Sequence, residues 1–89
     1  MLDQVVMLPL TERETAVVRL MASGLSNREI SYALGVKTAT VKNHSTAIFR
    51  KWRVNDRTQA AVVAFARGII TPQEAYQQMT AYMRERESM

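Results

Sequence analysis

The sequence predicts an all-α fold, and three observations support that prediction. Residue pairs that cap helix N-termini recur four times: Thr11 with Glu14, Ser26 with Glu29, Asp56 with Gln59, and Thr71 with Glu74. The chain has three glycines, at positions 24, 35 and 68. Each follows one of the first three capped stretches, where a glycine in the left-handed conformation can end a helix. No stretch alternates apolar and polar residues in the manner of a β-strand.

Size and composition limit the class of protein. The 89 residues predict one domain, and 47% apolar with 22% charged residues is typical of a globular chain. The absence of cysteine and the single histidine, His44, exclude a disulfide framework, cysteine-based metal sites and a multi-histidine site. We therefore expect no cofactor and no metal. No apolar run approaches the roughly 18–20 residues that cross a bilayer, and the N-terminus lacks a basic signal-peptide region, so we expect a cytoplasmic protein without membrane contact.

The first two helices follow directly from these signals. Residues 1–9 form an arm whose apolar residues end at Pro9 and are expected to lie against the domain. The first helix begins at the cap Thr11, and Gly24 ends it. Its apolar face is formed by Val17, Val18, Leu20 and Met21. The second helix begins at the cap Ser26 and ends at Gly35. Its apolar face is formed by Ile30, Ala33 and Leu34, so both helices are predicted to be amphipathic.

The third helix is predicted from about Thr38 to Trp52, a short turn after the second. Two short helices joined by such a turn suggest a helix-turn-helix. The pattern places a small residue, Ser31, where the helices cross, and Gly35 in the sharp turn. Lys37 lacks a capping oxygen, so we expect Thr38 to cap the third helix.

Two further helices complete the prediction. The fourth runs from Asp56 to Gly68, and its centre, AAVVAFA, is apolar at seven consecutive positions. The fifth begins at Thr71 and Pro72 and runs to about Glu87. It carries one apolar stripe, which consists of Ala75, Met79, Tyr82 and Met83, with Tyr76 beside it. This stripe can pack on its own domain, enlarge a dimer interface or bind a protein partner.

Positive charge is concentrated in one part of the chain. The net charge is +4, yet the 21 residues from Lys37 to Arg57 contain six basic residues and one acidic residue, a local balance of +5. The other 68 residues therefore sum to −1. A focused basic segment is the electrostatic footprint of a protein that binds a polyanion.

The third helix has two chemically different sides at 100° per residue. Val41, Ile48 and Trp52 share one stripe with Ser45. The opposite side carries Ala39, Lys42, Asn43, Thr46 and Arg50. Lys, Asn, Thr and Arg are residue types that read base edges in the major groove, and a small alanine allows close approach. A solvated polar face is the alternative, but such faces usually mix charges, and no acidic residue lies between positions 37 and 54.

Four blocks resemble one family. They are LTERE at 10–14, GLSNREI at 24–30, TVKNH at 40–44 and VNDRTQA at 54–60. In this order the blocks resemble the LuxR/GerE-type DNA-binding domain of bacterial transcription regulators. The resemblance implies a four-helix helix-turn-helix domain over residues 10–70, preceded by the arm at 1–9 and followed by an additional C-terminal helical extension at 71–89.

The resemblance also implies roles for individual residues. Lys42, Asn43 and Thr46 occupy its base-facing positions, with Ala39 beside them. Residues expected to face DNA phosphates are Ser26, Asn27, Arg28, Lys37, Thr38, Thr40, Arg50 and Lys51. Four positions depart from the family pattern. Lys37 stands where a serine cap is usual. Ser45 stands at an aliphatic position and is expected to bond back to a carbonyl, Arg53 stands where glycine is usual, and Trp52 replaces a smaller residue.

The fourth helix forms the homodimer in the family. The interface residues that this implies are Ala60, Val62, Val63, Ala66 and Arg67. Burial by the fifth helix or by the arm is the alternative use of the same apolar surface. A dimer would bind an inverted repeat with half-sites about one helical turn apart.

The sequence thus predicts a stand-alone, nucleoid-associated, sequence-specific transcription regulator that binds double-stranded DNA as a homodimer. One alternative is a sigma region-4-like module, which shares this type of recognition helix. Another is a protein-interaction module that sequesters a second regulator through its fourth and fifth helices. Enzyme activity has no supporting constellation, because His44 and Ser45 are helix neighbours that do not face each other.

Overall fold

The structure is a computed structural model that describes residues 7–88. Within this range the chain forms five α-helices and no strand, which confirms the all-α prediction. The helices are α1 (Glu12–Ala22), α2 (Asn27–Leu34), α3 (Thr38–Trp52), α4 (Arg57–Ala66) and α5 (Pro72–Ser88).

Reciprocal caps begin three of the helices as predicted. In α1 the Glu14 N–H donates to the Thr11 hydroxyl at 3.1 Å, and Glu14 Oε1 accepts the Thr11 N–H at 2.9 Å. The same exchange begins α2 at Ser26 and α5 at Thr71. These bonds satisfy N–H groups that have no partner inside a helix.

The starts of α3 and α4 differ from this pattern. The expectation that Thr38 caps α3 is wrong: Lys37 is the N-cap residue and makes no side-chain capping bond, while Thr38 is the first helical residue. Its hydroxyl lies 3.3 Å from that of Ser31. Asp56 caps α4 by accepting the Gln59 N–H at 2.9 Å, but the Gln59 side chain accepts from Asn55 rather than from Asp56.

The core lies between α1, α3 and α4, with α2 packed on α3. Its largest fully buried side chains come from α1, α2, α3 and the loop after α4, and they are Val17, Val18, Ile30, Val41, Ile48 and Ile70. Every helix from α1 to α4 contributes apolar residues to this core, and such packing supplies most of the stability of short helices. The packed core therefore fixes the relative positions of α2 and α3.

Two arginines bind the connecting loops to the helices. Arg57, in the first turn of α4, donates to the carbonyl of Met21 at 3.2 Å and also to that of Leu25. Arg19 of α1 donates to the carbonyl of Ile69. Arg57 belongs to the basic segment of the sequence, but the structure uses its charge inside the fold.

The arm reaches the end of α3. The Leu8 N–H donates to the Lys51 carbonyl at 3.0 Å, and Met7 is half-buried against the core. The other apolar residues of the predicted arm, including Val5 and Val6, lie outside the described residues.

Helix α5 packs back on its own domain, which is one of the three uses that its stripe predicted. Near its start Ala75 is buried, and the Gln78 side-chain oxygen lies 2.7 Å from the Ser23 hydroxyl after α1. Near its end the Tyr82 ring meets the Tyr32 ring of α2 edge to face, with centroids 6.3 Å apart. Thus α5 spans from α1 to α2.

Candidate nucleic-acid interface

The turn between α2 and α3 fixes how these helices cross. Gly35 ends α2 with a φ of 68°, a left-handed conformation that a side chain would strain. The next N–H, that of Val36, donates to the Ser31 carbonyl at 3.0 Å. Ser31 is buried at the crossing, and its hydroxyl donates to the Arg28 carbonyl at 2.7 Å. A small, internally bonded residue therefore lets α3 approach α2 closely.

Helix α3 has the two sides that its sequence predicted. Val41, Ser45, Ile48 and Trp52 are buried on one side. Ala39, Lys42, Asn43, Thr46 and Arg50 are exposed on the other. The core contacts of the first set hold the second set outward. An exposed polar face of a rigid helix is the geometry that a major-groove reader needs.

Ser45 behaves as its position predicted. Its side chain is buried, and the hydroxyl donates to the Val41 carbonyl one turn earlier at 3.0 Å. The hydroxyl is therefore hydrogen-bonded within the helix, and the core contains no unsatisfied polar group at this position. Arg53 ends α3 with a φ of 57°, so the family's glycine position keeps its left-handed backbone with a different residue.

The predicted base-reading side chains lie close together on the exposed face. Within the described residues no hydrogen bond or ion pair engages the side chain of Lys42 or Asn43. The Thr46 hydroxyl donates to the Lys42 carbonyl at 3.1 Å, so its proton is engaged within the helix. Lys42 and Asn43 thus retain their hydrogen-bonding capacity for a partner.

The predicted phosphate-facing residues surround this face with one exception. Arg28 in the first turn of α2, and Lys37 and Thr38 at the start of α3, are exposed, as is Arg50 near its end. Ser26 is exposed too, but its hydroxyl already accepts the Glu29 N–H. Asn27 and Thr40 are half-buried.

Lys51 is the exception, and the structure corrects its assignment. Its ammonium lies 2.7 Å from Glu14 Oε1, with side-chain exposures of 21% and 7% for the two residues. Lys51 is nine positions after Lys42, so at 100° per residue it lies on the opposite side of α3. Its charge balances the buried carboxylate of Glu14 on the side of α3 opposite Lys42.

Burial alone would raise the pKa of Glu14. The hydrogen bonds from Lys51 and Thr11 outweigh that effect and hold the pKa below its ordinary value. Glu14 is therefore ionised at neutral pH, and the pair with Lys51 joins the start of α1 to the end of α3.

A groove of about 320 Å³ lies beside the exposed face of α3. Its polar lining includes Asn27 of α2, Lys42 and Thr46 of α3, and Asn55 just before α4. Asn55 was not among the predicted site residues. It lies in the turn between α3 and α4, and its residue type alone gives no signal for a place in this groove.

The structure narrows the predicted dimer surface on α4. Ala60 is fully buried in the core of its own chain, so it has no surface for a partner and that assignment is corrected. Val62 is 61% exposed, Ala66 and Arg67 are exposed, and Val63 is half-buried. An apolar-lined groove of about 340 Å³ adjoins Val62 and Val63 and is bounded on its other side by Met7 and Trp52.

The outer side of α5 exposes Tyr76 and Met83. These residues are seven positions apart and share one face, but the structure contains no partner chain, so partner binding through this helix stays a prediction. Among residues 7–88 no cluster of three or more His, Asp or Glu side chains is arranged to hold a metal ion. No helix in the same range has the length and apolarity of a membrane span.

Comparison with known proteins agrees with this geometry. The sequence model of a family described as "Bacterial regulatory proteins, luxR family" matches residues 8–64. The transcriptional regulatory protein DegU of Brevibacillus brevis is 51% identical over 59 residues, which cover 66% of this chain and 25% of DegU. The response regulator protein VraR of Staphylococcus aureus (strain COL) is 46% identical over 61 residues, covering 68% of this chain and 29% of VraR.

A third relative is the transcriptional regulatory protein YdfI of Bacillus subtilis (strain 168). It is 42% identical over 62 residues, which cover 70% of this chain and 29% of YdfI. The chain therefore spans less than a third of the length of these relatives. The family match ends before α5 begins.

Proposed function

The chain belongs to the luxR family of bacterial regulatory proteins, and from that membership we propose that it is a sequence-specific DNA-binding regulator whose helix α3 reads the major groove. The family is one of bacterial regulatory proteins, and two of the relatives above are transcriptional regulatory proteins, which supports DNA-binding regulation of transcription as the function of this chain. The observation that carries the finer proposal is the exposed face of α3, where Lys42 and Asn43 have no partner within the described residues.

The chemistry of this face fits base recognition. Lysine donates to the guanine O6 and N7 acceptors, and asparagine pairs with the N6 and N7 edge of adenine. The exposed Arg28, Lys37 and Arg50 would bind phosphates on either side and supply affinity that is independent of sequence. Because phosphate contacts orient the protein while base contacts specify the site, the two groups make separable contributions.

Selection from random duplex DNA tests the proposal. The purified protein is incubated with random duplexes at near-physiological salt, and the retained DNA is sequenced. We expect enrichment of a defined sequence by the wild type. We expect none by the double variant Lys42→Ala with Asn43→Ala, because both base-facing groups are lost.

A matched control separates base reading from loss of charge. Arg13→Ala with Gln73→Ala also removes one cation and one amide, from exposed positions on α1 and α5. This control should enrich the same sequence as the wild type. If the α3 double variant enriches that sequence equally well, the base-reading assignment is wrong.

We further propose a homodimer formed through the exposed part of α4. The exposed Val62 and the adjoining apolar groove support this, since apolar surface of this kind is usually covered by a partner. A two-fold dimer would select an inverted repeat with half-site centres about 34–36 Å apart.

Sedimentation at increasing concentration tests the dimer. The variant Val62→Asp should stay monomeric where the wild type associates, because a charge would be buried in the contact. It should also select a single half-site. Tyr76→Asp on the outer side of α5 is the matched control and should leave association unchanged.

A further inference from the structure

The end of α5 lies against the first turn of α2. Arg86 Nη1 is 2.9 Å from Glu29 Oε2, and the edge-to-face contact of Tyr82 with Tyr32 lies one turn away on both helices. Residues 86 and 29 are 57 positions apart in sequence, and residue 86 lies outside the part of the chain that matches the family. This contact is therefore a property of the C-terminal extension.

The two helices border an open groove of about 450 Å³. It is lined by Ser26, Arg28, Glu29, Tyr32, Tyr82 and Arg86. Ser26 and Arg28 belong to the predicted phosphate-facing set, so the groove shares two residues with the proposed DNA-binding surface. One wall of the groove is supplied by α5.

The charges in the groove favour an anion only when α5 is present. The N–H of Ser26, its hydroxyl and the Arg86 guanidinium hold the pKa of Glu29 below its ordinary value, so Glu29 is ionised at neutral pH. Without Arg86, the positive charge of Arg28 and the negative charge of Glu29 would give the groove a net charge of zero. Arg86 leaves the groove with two cations against one anion.

Arg86 keeps free donor capacity in this position. A guanidinium has five N–H donors, and the contact with Glu29 engages one nitrogen. The Arg86 side chain remains 59% exposed. Since paired arginines suit the fork geometry of phosphate oxygens, the groove fits one phosphate better than an extended acidic surface.

We propose that α5 is part of the DNA-binding surface, and that Arg86 acts with Arg28 across the groove to bind a backbone phosphate beside the base pairs read by α3. This inference rests on the proposed DNA-binding function. DNA is favoured over an acidic protein because Ser26 and Arg28 flank Asn27 in the chain, and Asn27 lines the groove beside Lys42 and Thr46 of α3. The charges of α5 itself do not reveal this role, because its last turns alternate as Arg84, Glu85, Arg86 and Glu87.

The test measures affinity for the selected duplex as a function of salt. Arg86→Gln should weaken binding about three- to tenfold near 0.1 M salt and reduce the slope of log K against log salt by about one, as expected for one lost phosphate contact. Arg86→Lys keeps the charge and should retain most of the slope. Arg13→Gln removes an equal charge from exposed α1 and should leave the slope unchanged.

Glu29→Gln distinguishes phosphate binding from simple docking of α5. Glutamine preserves the capping box but removes the anion from the groove. Under the proposal this variant binds DNA about two- to fivefold more tightly, because both arginines remain and the repulsion is gone. If Arg86 served only to hold α5 through Glu29, this variant would weaken binding as Arg86→Gln does.

The outcomes separate this inference from the proposed function. Equal salt slopes for Arg86→Gln and Arg13→Gln, or equal weakening by Arg86→Gln and Glu29→Gln, would overturn the role of α5 while leaving DNA binding intact. A wild type that shows no salt-dependent DNA binding would overturn both.

Discussion

The two sides of α3 illustrate two different uses of one helix. On the inner side, Val41, Ser45, Ile48 and Trp52 are buried, and the one hydroxyl among them is bonded to the helix backbone. On the outer side, Lys42 and Asn43 are exposed and have no partner within the described chain. No contact within residues 7–88 accounts for the side chains of Lys42 and Asn43, whereas packing accounts for the buried side.

Arg50 and Lys51 show the same contrast in consecutive residues. Arg50 is exposed, while Lys51 pairs with the buried Glu14. One helical step of 100° separates an exposed cation from one that is paired with a buried carboxylate. Variants on the two sides should therefore affect different measurements.

The largest expected effect is on the inner side. Ile48→Ala should lower the free energy of unfolding by about 2–4 kcal/mol, because a fully buried side chain is removed and a cavity remains. Chemical denaturation measures this loss. Thr46→Ala, on the outer side of the same helix, should change the free energy of unfolding by less than about 0.5 kcal/mol. Comparable losses in the free energy of unfolding for the two variants would contradict the division of α3 into a buried and an exposed side.

The next effect is on the outer side. Asn43→Ala should reduce discrimination at one base pair by about 1–3 kcal/mol, since a bidentate base contact is lost. The free energy of unfolding should stay within about 0.5 kcal/mol of the wild type. Competition binding with single base-pair changes in the selected site gives the discrimination. A uniform loss across all sites would instead assign Asn43 to the phosphate backbone.

The consecutive cations provide a smaller, reciprocal pair of effects. Lys51→Gln should lower the free energy of unfolding by about 1–2 kcal/mol, between the values for exposed and buried ion pairs, with no change in the salt slope of DNA binding. Arg50→Gln should leave stability unchanged and reduce that slope by about one. Denaturation and salt titration are carried out on both variants. If Lys51→Gln also reduced the salt slope of DNA binding, the assignment of Lys51 to the pair with Glu14 alone would be rejected.

The Glu14–Lys51 pair also predicts a dependence on pH. The pKa of Glu14 is lower in the folded chain than its ordinary value of 4.5, so its ionised form stabilises the fold. That stabilisation is complete above the unfolded pKa and is lost as the pH falls through the folded pKa. Stability measured from pH 6 down to pH 3 should therefore decline, and Lys51→Gln should decline less steeply.

The smallest effect is at the end of α3. Arg53→Gly should raise the free energy of unfolding by about 0.5–1 kcal/mol, because glycine adopts the left-handed conformation at a φ of 57° without strain. Thermal denaturation tests this, with Arg50→Gly as a control that should be destabilising at a helical position. A loss of stability in Arg53→Gly would mean that the arginine side chain makes a compensating contact.

Local signals predicted most of this structure from the sequence. Capping pairs at Thr11, Ser26 and Thr71 and the apolar stripe of α3 depend on neighbours within one or two turns. The match of residues 8–64 to the family confirms the resemblance carried by the four sequence blocks. The base-reading, phosphate and dimer roles stay predictions.

The errors arose where distant residues decide the outcome. Lys51 was grouped with the phosphate-binding cations by charge, but Glu14, 37 positions away, takes its ammonium. Ala60 was grouped with the dimer surface by its apolar neighbours, although α4 turns it into the core. The contact of Arg86 with Glu29 has no local signature at all, because only the path of α5 across α1 brings the two residues together.

The bond from the Leu8 N–H to the Lys51 carbonyl has a mechanical consequence. It links the point where the chain enters the domain to the last turn of α3, and Lys51 is also clamped to α1 through Glu14. A force applied through residues 7 and 8 is therefore transmitted to α3 without crossing a loop. The hydrogen-exchange rate of the Leu8 amide therefore reports how often the bond between residue 8 and the last turn of α3 opens.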